Sequence, residues 1–211
     1  MTAVRVKICG LTREEDVECA INEGADAVGF ICGFPESPRN LSLARVGDLM
    51  ETVPPFVDRI LVTRSKLLKT GSERIKGLRP SALQVYGRVQ DSYELKEKFQ
   101  TKLILPFAVK KGENRPPAVD GFDAVLSDTY LQGRFGGTGR ASDWDACSRL
   151  KKMLAPVPFI LSGGLNPENV EQAISCVEPF AVDTSSGVEA SPGIKDPAKV
   201  RAFIRRATGG G

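Results

Sequence analysis

The chain contains no histidine at all. Histidine is the side chain whose ordinary pKa lies nearest neutrality, so any proton transfer must fall to a thiol, carboxylate, lysine or tyrosine of tuned pKa. Cysteine is sparse and scattered: Cys9, Cys19, Cys32, Cys147 and Cys176 form no CxxC pair. That spacing argues against a zinc site or a disulfide framework and fits a reducing, cytoplasmic setting. No apolar run approaches the ~20 residues of a membrane helix, and the N-terminus shows no signal-peptide pattern. The net charge of +3 is too small to indicate nucleic acid as a partner. With 211 residues, 41% of them hydrophobic and 26% charged, the composition suits one soluble domain with a large core. Residues 1–208 are expected to form that domain, and 209–211 a frayed glycine tail.

Short apolar, β-branched runs predict strands near residues 4–9, 26–31, 58–62, 82–86, 103–107, 123–127, 158–162 and 180–183. Helical patterns lie between them. Thr12-x-x-Glu15 reads as a capping box ahead of Val17, Ala20 and Ile21. Val46, Leu49, Met50 and Val53 keep helical spacing, Asp91 is placed to cap a helix carrying Leu95 and Phe99, and Trp144, Cys147 and Leu150 mark another. Asp196-Pro197 opens the last helix, with Val200, Phe203 and Ile204 facing inward. The third helix (65–76) and the fifth (111–119, with Pro116-Pro117 inside) carry weaker patterns.

Two glycine- and serine-rich corners stand late in this alternation. Ser162-Gly163-Gly164 follows one buried-looking strand and precedes a helix start at Asn166-Pro167-Glu168, and Ser185-Ser186-Gly187 follows the next strand. Glycine lets backbone N–H groups approach a ligand closely, and helix N-termini favour anions. Paired corners after the seventh and eighth strands match the phosphate site of a (β/α)8 barrel. A doubly wound open sheet uses the same alternation. Eight strand–helix units in so short a chain favour the closed α/β TIM barrel of parallel strands, with its site at the C-terminal strand ends.

The first strand reads Val4-Arg5-Val6-Lys7-Ile8-Cys9-Gly10. Period-2 alternation turns Val4, Val6 and Ile8 to the helices, and Arg5, Lys7 and Cys9 into the barrel. Most free cysteines are small buried hydrophobes, and Cys19, Cys32, Cys147 and Cys176 are read as packing. Cys9 falls at the catalytic rim, where Lys7 on the same face would favour its thiolate. An interior Lys7 needs an anionic partner, and closure brings the last strand, ending in Asp183, beside the first.

Asp128 follows the sixth strand and faces the same mouth as an acid opposed to the thiol, although loop aspartates also cap turns. Phe135-Gly136-Gly137-Thr138-Gly139-Arg140 lacks a Walker ending and reads as a lid or a flexible loop. Two prolines stiffen the segment 33–39 and present Arg39, whose planar fork suits a carboxylate.

These pieces, in this order, resemble phosphoribosylanthranilate isomerase, a (β/α)8 enzyme of tryptophan biosynthesis. The likeness is carried by Lys7-Ile8-Cys9-Gly10, residues 24–30, Ser37-Pro38-Arg39, Asp128-Thr129, residues 136–139, residues 161–170 and residues 182–189, and it runs nearly end to end. The resemblance implies Cys9 as general base, Asp128 as general acid, Arg39 on the anthranilate carboxylate, and Lys7 in support. It also implies phosphate on the late corners, through Gly163, Gly164, Asp183, Ser185, Ser186 and Gly187. The implied reaction is an Amadori rearrangement in the cytoplasm, with no metal, no organic cofactor, no nucleic acid and no membrane, by a monomer or homodimer. Asp128 as an acid and Cys9 as a thiolate require a raised and a lowered pKa respectively.

Three departures lie at the mouth. The family's usual Gln-x-His-Gly reads Gln84-Val85-Tyr86-Gly87, where Tyr86 can hydrogen-bond as the histidine does or simply pack. The third strand ends Leu61-Val62-Thr63-Arg64, similar to the archaeal branch, and the fifth ends Leu105-Pro106-Phe107-Ala108 without the lysine of many members. The alternatives are a barrel that only binds a phosphorylated metabolite, and a related phosphosugar aldose–ketose isomerase. The latter family repeats its phosphate corner in both half-barrels, which this chain does not.

Overall fold

The computed structural model describes residues 4–87, 92–109, 116–128 and 143–209. In chain order the elements begin β1 (Arg5–Cys9), α1 (Glu14–Asn22), β2 (Ala27–Cys32), β3 (Asn40–Leu41), α2 (Leu43–Glu51), β4 (Asp58–Arg64), α3 (Ser65–Thr70), α4 (Ser72–Leu78), β5 (Ala82–Tyr86) and α5 (Ser92–Phe99). They continue β6 (Lys102–Ala108), β7 (Ala124–Asp128), α6 (Trp144–Leu154), β8 (Phe159–Leu161), α7 (Val170–Val177), β9 (Ala181–Thr184), a 3-10 turn (Ser186–Val188), β10 (Glu189–Ser191), β11 (Ile194–Lys195) and α8 (Pro197–Thr208).

β1 pairs in parallel with both β2 and β9, so strands β1, β2, β4, β5, β6, β7, β8 and β9 close on themselves. The closed sheet is the (β/α)8 barrel, and every strand expected from the apolar runs takes part in it. Period-2 alternation then sorts the side chains into two cores. Val6, Ile8, Val28, Phe30, Leu61, Leu83 and Val125 face the helices, where they meet Val17, Leu49, Leu150, Val200 and Phe203. Ile60, Val62, Ala82, Ile104, Leu126, Ile160 and Cys9 face the axis as a separate cluster. Each fully buried aliphatic or phenyl side chain contributes roughly 1.5–3 kcal/mol. Both layers therefore hold the strand ends that carry the site.

Several local expectations are corrected. The capping box at Thr12 does not form: the Thr12 hydroxyl donates to the Gly193 carbonyl (2.6 Å), and α1 starts behind Arg13 without a side-chain cap. A tertiary bond has taken the hydroxyl. The third helix is two short ones, α3 and α4, meeting at Gly71. Residues 116–119 are irregular rather than helical, as two successive prolines without N–H donors require. The rest of that expected helix, Asp91 and the glycine loop 135–140 lie outside the described residues. Asn166 caps a turn, accepting from the backbone N–H of Glu168 (2.9 Å) and Asn169 (3.1 Å), and α7 begins only at Val170. Cys176, expected to pack, is exposed. Gly209 is the left-handed cap of α8 (φ 71°) rather than part of a loose tail. Among the described residues no helix is long and apolar enough to cross a membrane.

Candidate active site

Cys9, Arg39, Gln84, Tyr86, Asp128, Ser162, Asp183, Ser185 and Ser186 line one cavity at the C-terminal mouth of the barrel. Larger hollows exist between α6, α7 and α8 and at the opposite barrel mouth. Neither brings a thiol and a carboxyl together.

Cys9 ends β1 with its side chain in the barrel interior, 5% exposed. Its neighbour in register on β2 is Gly29, where a Cβ would lie 2.8 Å from the Cys9 sulfur. Gly29 thus makes room for the thiol. One layer below, Lys7 Nζ donates to Asp183 Oδ1 at 2.7 Å, as closure of the barrel predicts for two residues in direct register. Burial alone would depress the Lys7 ammonium, but attraction to Asp183, and then to Cys9, outweighs it and leaves its pKa raised.

The thiol departs from expectation. Burial pushes the Cys9 pKa up, Lys7 pulls it down, Asp183 pushes it up again, and the net shift is upward. The resting group is therefore a thiol rather than a thiolate, because burial outweighs a Lys7 ammonium that is also paired with Asp183.

Asp183, expected at the phosphate, borders the concavity of the two corners but is already engaged by the protein. Its second oxygen accepts from the Ser162 hydroxyl (3.3 Å), so both oxygens are committed to protein donors. A carboxylate would repel phosphate in any case. The corners themselves meet at the expected place. Gly163 and Gly164 both take positive φ (95° and 68°), and they line a concavity with Ser185, Ser186 and Gly187. The Ser185 hydroxyl is buried without a partner among the described residues. A Cβ on Gly187 would lie 1.9 Å from the Leu165 carbonyl oxygen, so the two corners touch only because residue 187 has no side chain. Gly187→Ala is expected to lower stability by roughly 1–3 kcal/mol and to weaken inorganic phosphate binding, measured by thermal unfolding and calorimetric titration.

Arg39 is buried, not a solvated surface charge. Its Nε and Nη2 form a bidentate pair with Glu189 at 2.7 and 2.6 Å, and Lys195 donates to the same carboxylate at 2.9 Å. Burial raises the Glu189 pKa, but the Arg39 hydrogen bonds and then Lys195 reverse the shift, holding it below the usual range. Two cations against one anion leave the cluster net positive. Gly10 permits this packing: at φ 72°, a Cβ there would lie 2.6 Å from Arg39 Cδ. Glu189 and Lys195 escaped the sequence reading. The only signal was the turn at Pro192-Gly193, which pairs them across the β10–β11 hairpin.

Asp128, the last residue of β7, accepts a hydrogen bond from the Tyr86 hydroxyl at 2.7 Å. Gln84 Nε2 donates to that same phenol oxygen at 3.3 Å.

A family model described as N-(5'phosphoribosyl)anthranilate (PRA) isomerase matches residues 6–206. The chain belongs to the phosphoribosylanthranilate isomerase family. An N-(5'-phosphoribosyl)anthranilate isomerase of Methanothrix thermoacetophila is 42% identical over 205 residues, covering 96% of this chain and 97% of that protein. The crystal structure of the Thermotoga maritima phosphoribosyl anthranilate isomerase superposes with a TM-score of 0.80 at 34% identity, covering 98% and 99% of the two chains. A further family structure, in complex with reduced 1-(o-carboxyphenylamino)-1-deoxyribulose 5-phosphate, superposes at 0.74 with 33% identity and the same coverage. Tyr86 thus hydrogen-bonds to Asp128 as well as packing edge-on against Phe34, with ring centroids 5.6 Å apart.

Proposed function

We propose that this chain catalyses the Amadori rearrangement of N-(5-phosphoribosyl)anthranilate to 1-(2-carboxyphenylamino)-1-deoxyribulose 5-phosphate, a step of tryptophan biosynthesis. One observation carries the assignment of roles. A buried thiol, Cys9, and a carboxyl hydrogen-bonded to a phenol, Asp128, line one cavity that ends in a glycine–serine cradle. Phosphate in that cradle, held by backbone N–H groups and the Ser185 hydroxyl, fixes the ribose between the two.

Asp128, protonated, gives its proton to the ribose ring oxygen as the C1–O bond breaks. The anilino nitrogen lone pair moves to C1, leaving an iminium. Cys9 then takes the proton from C2, and the C2–H electron pair forms the C1–C2 double bond of an enolamine. Tautomerisation returns a proton to C1 and leaves a ketone at C2. The step is redox-neutral within one molecule, and acid–base work of this kind contributes about 10²–10⁴-fold per group. The productive form arises when the thiol's proton passes to Asp128, and the thiolate left behind, with its raised proton affinity, is a strong base toward C2 beside the iminium.

The net positive cluster of Arg39, Glu189 and Lys195 is suited to the anthranilate carboxylate. Arg39→Ala is expected to raise KM about tenfold or more while kcat changes little, because the interaction is made in ground state and transition state alike. Steady-state kinetics with the natural substrate checks this, and an unchanged KM would remove Arg39 from carboxylate binding. The decisive assay follows loss of anthranilate-derivative fluorescence on adding enzyme. A barrel that only binds the metabolite would give saturation without turnover. The reading places the enzyme in the cytoplasm as a monomer or homodimer; the Thermotoga maritima relative is described as dimeric.

A further inference from the structure

A general acid needs more than a proton: the oxygen that carries it must be held toward the leaving atom. At the end of β5, Tyr86 reaches past β6 to Asp128 on β7, and its hydroxyl meets Oδ2 at 2.7 Å. The phenol is itself held. Its ring stands edge-on to Phe34 at 89°, and Gln84, 2% exposed, donates to its oxygen from the layer below. Gln84 Oε1 has no partner among the described residues and lines the same cavity.

We propose that Tyr86 is a positioning residue for the acid step: it holds Oδ2 of Asp128 as an acceptor, so that Oδ1 carries the proton delivered to the ribose oxygen. This rests on the assignment of Asp128 as general acid. Burial, and then the charge of Asp128, keep the phenol's pKa well above its ordinary 10.0, so Tyr86 stays a donor throughout the working range. A histidine here would titrate near neutrality; tyrosine does not. The same hydrogen bond favours the carboxylate that remains after proton delivery. Among the described residues, the other titratable or charged groups facing this cavity are Cys9 on β1, Arg39 after β2 and Asp183 on β9, while Arg64 at the end of β4 lies over the Phe34 ring.

Tyr86→Phe removes one oxygen and keeps the ring against Phe34. In the purified variant kcat is expected to fall about 10- to 100-fold with KM within roughly twofold of wild type, the cost of a misplaced acid. Loss of a hydrogen bond to the charged carboxyl should also raise the acid-side limb of the kcat/KM pH profile by about one unit. A wild-type kcat, a raised KM with unchanged kcat, or an acid limb that stays in place would each overturn the inference. Asp128→Asn separates this from the reading beneath it. If that variant keeps full turnover, the general-acid assignment itself fails. If it is inactive while Tyr86→Phe behaves as wild type, only the role of Tyr86 fails.

Discussion

Cys9→Ala is expected to lower kcat by about 10²-fold or more, leaving the fold and phosphate binding intact. Among the described residues lining the cavity, the sulfur is the group left to take a carbon-bound proton once Asp128 serves as the acid and Asp183 is held by Lys7. Lys7 is occupied by Asp183, Lys195 is buried against Glu189, and there is no histidine to substitute. Alanine preserves the strand and adds only a small void beside Gly29, so unfolding should shift little. Turnover close to wild type in a folded Cys9→Ala enzyme would remove the proposed base outright.

The pH profile gives a second reading of the same residue. Catalysis needs Cys9 as thiolate and Asp128 as acid together. With the thiol pushed above its ordinary 9.0, that reactive form is a minority tautomer of the singly protonated pair. The profile of kcat/KM should then run flat through neutral pH, falling on the acid side as Asp128 takes up a proton and on the alkaline side only above the ordinary range of a thiol.

How far the sequence carried these conclusions depends on the range of the interactions involved. Alternation in β1 was legible because a strand's two faces follow from period 2 alone, and it put Lys7 and Cys9 on the inner face correctly. Closure of eight strands then made Asp183 the neighbour of Lys7 although they are 176 residues apart. The two glycine corners were legible because positive φ and close backbone approach demand glycine locally. The fork of Arg39 was legible as a carboxylate binder but not its occupant, since Glu189 is 150 positions away in a short hairpin that belongs to no barrel unit. Thr12 failed as a cap for the same reason: its acceptor, Gly193, is supplied by that hairpin. The direction of the Cys9 shift was illegible in principle. It depends on how completely water is excluded and on Lys7 dividing its charge between two partners, and neither quantity leaves a trace in spacing.

Lys7→Met is the substitution expected to cost the most stability, about 3–5 kcal/mol, read as a lower denaturant midpoint at unchanged m-value. The ion pair is almost wholly buried, with side-chain exposures of 4% and 7%, so solvent screening offers Asp183 little relief once its partner is gone. Because the folded-state pKa of Lys7 is raised, its contribution is fully present below the unfolded value of 10.5 and is lost only as pH rises beyond it. The deficit of the variant should accordingly be constant from mildly acidic to mildly alkaline pH. Adding Asp183→Leu to Lys7→Met should restore much of the stability, because a buried pair replaced by apolar groups of similar volume is often neutral. It should not restore turnover. Lys7 draws the Cys9 pKa down more than Asp183 pushes it up, so an apolar layer beneath the thiol leaves burial less opposed and the thiolate scarcer still. A double variant that is both stable and fully active would show the pair to be structural alone. A stable but slow one would show that the barrel keeps a costly buried charge for the sake of the sulfur above it.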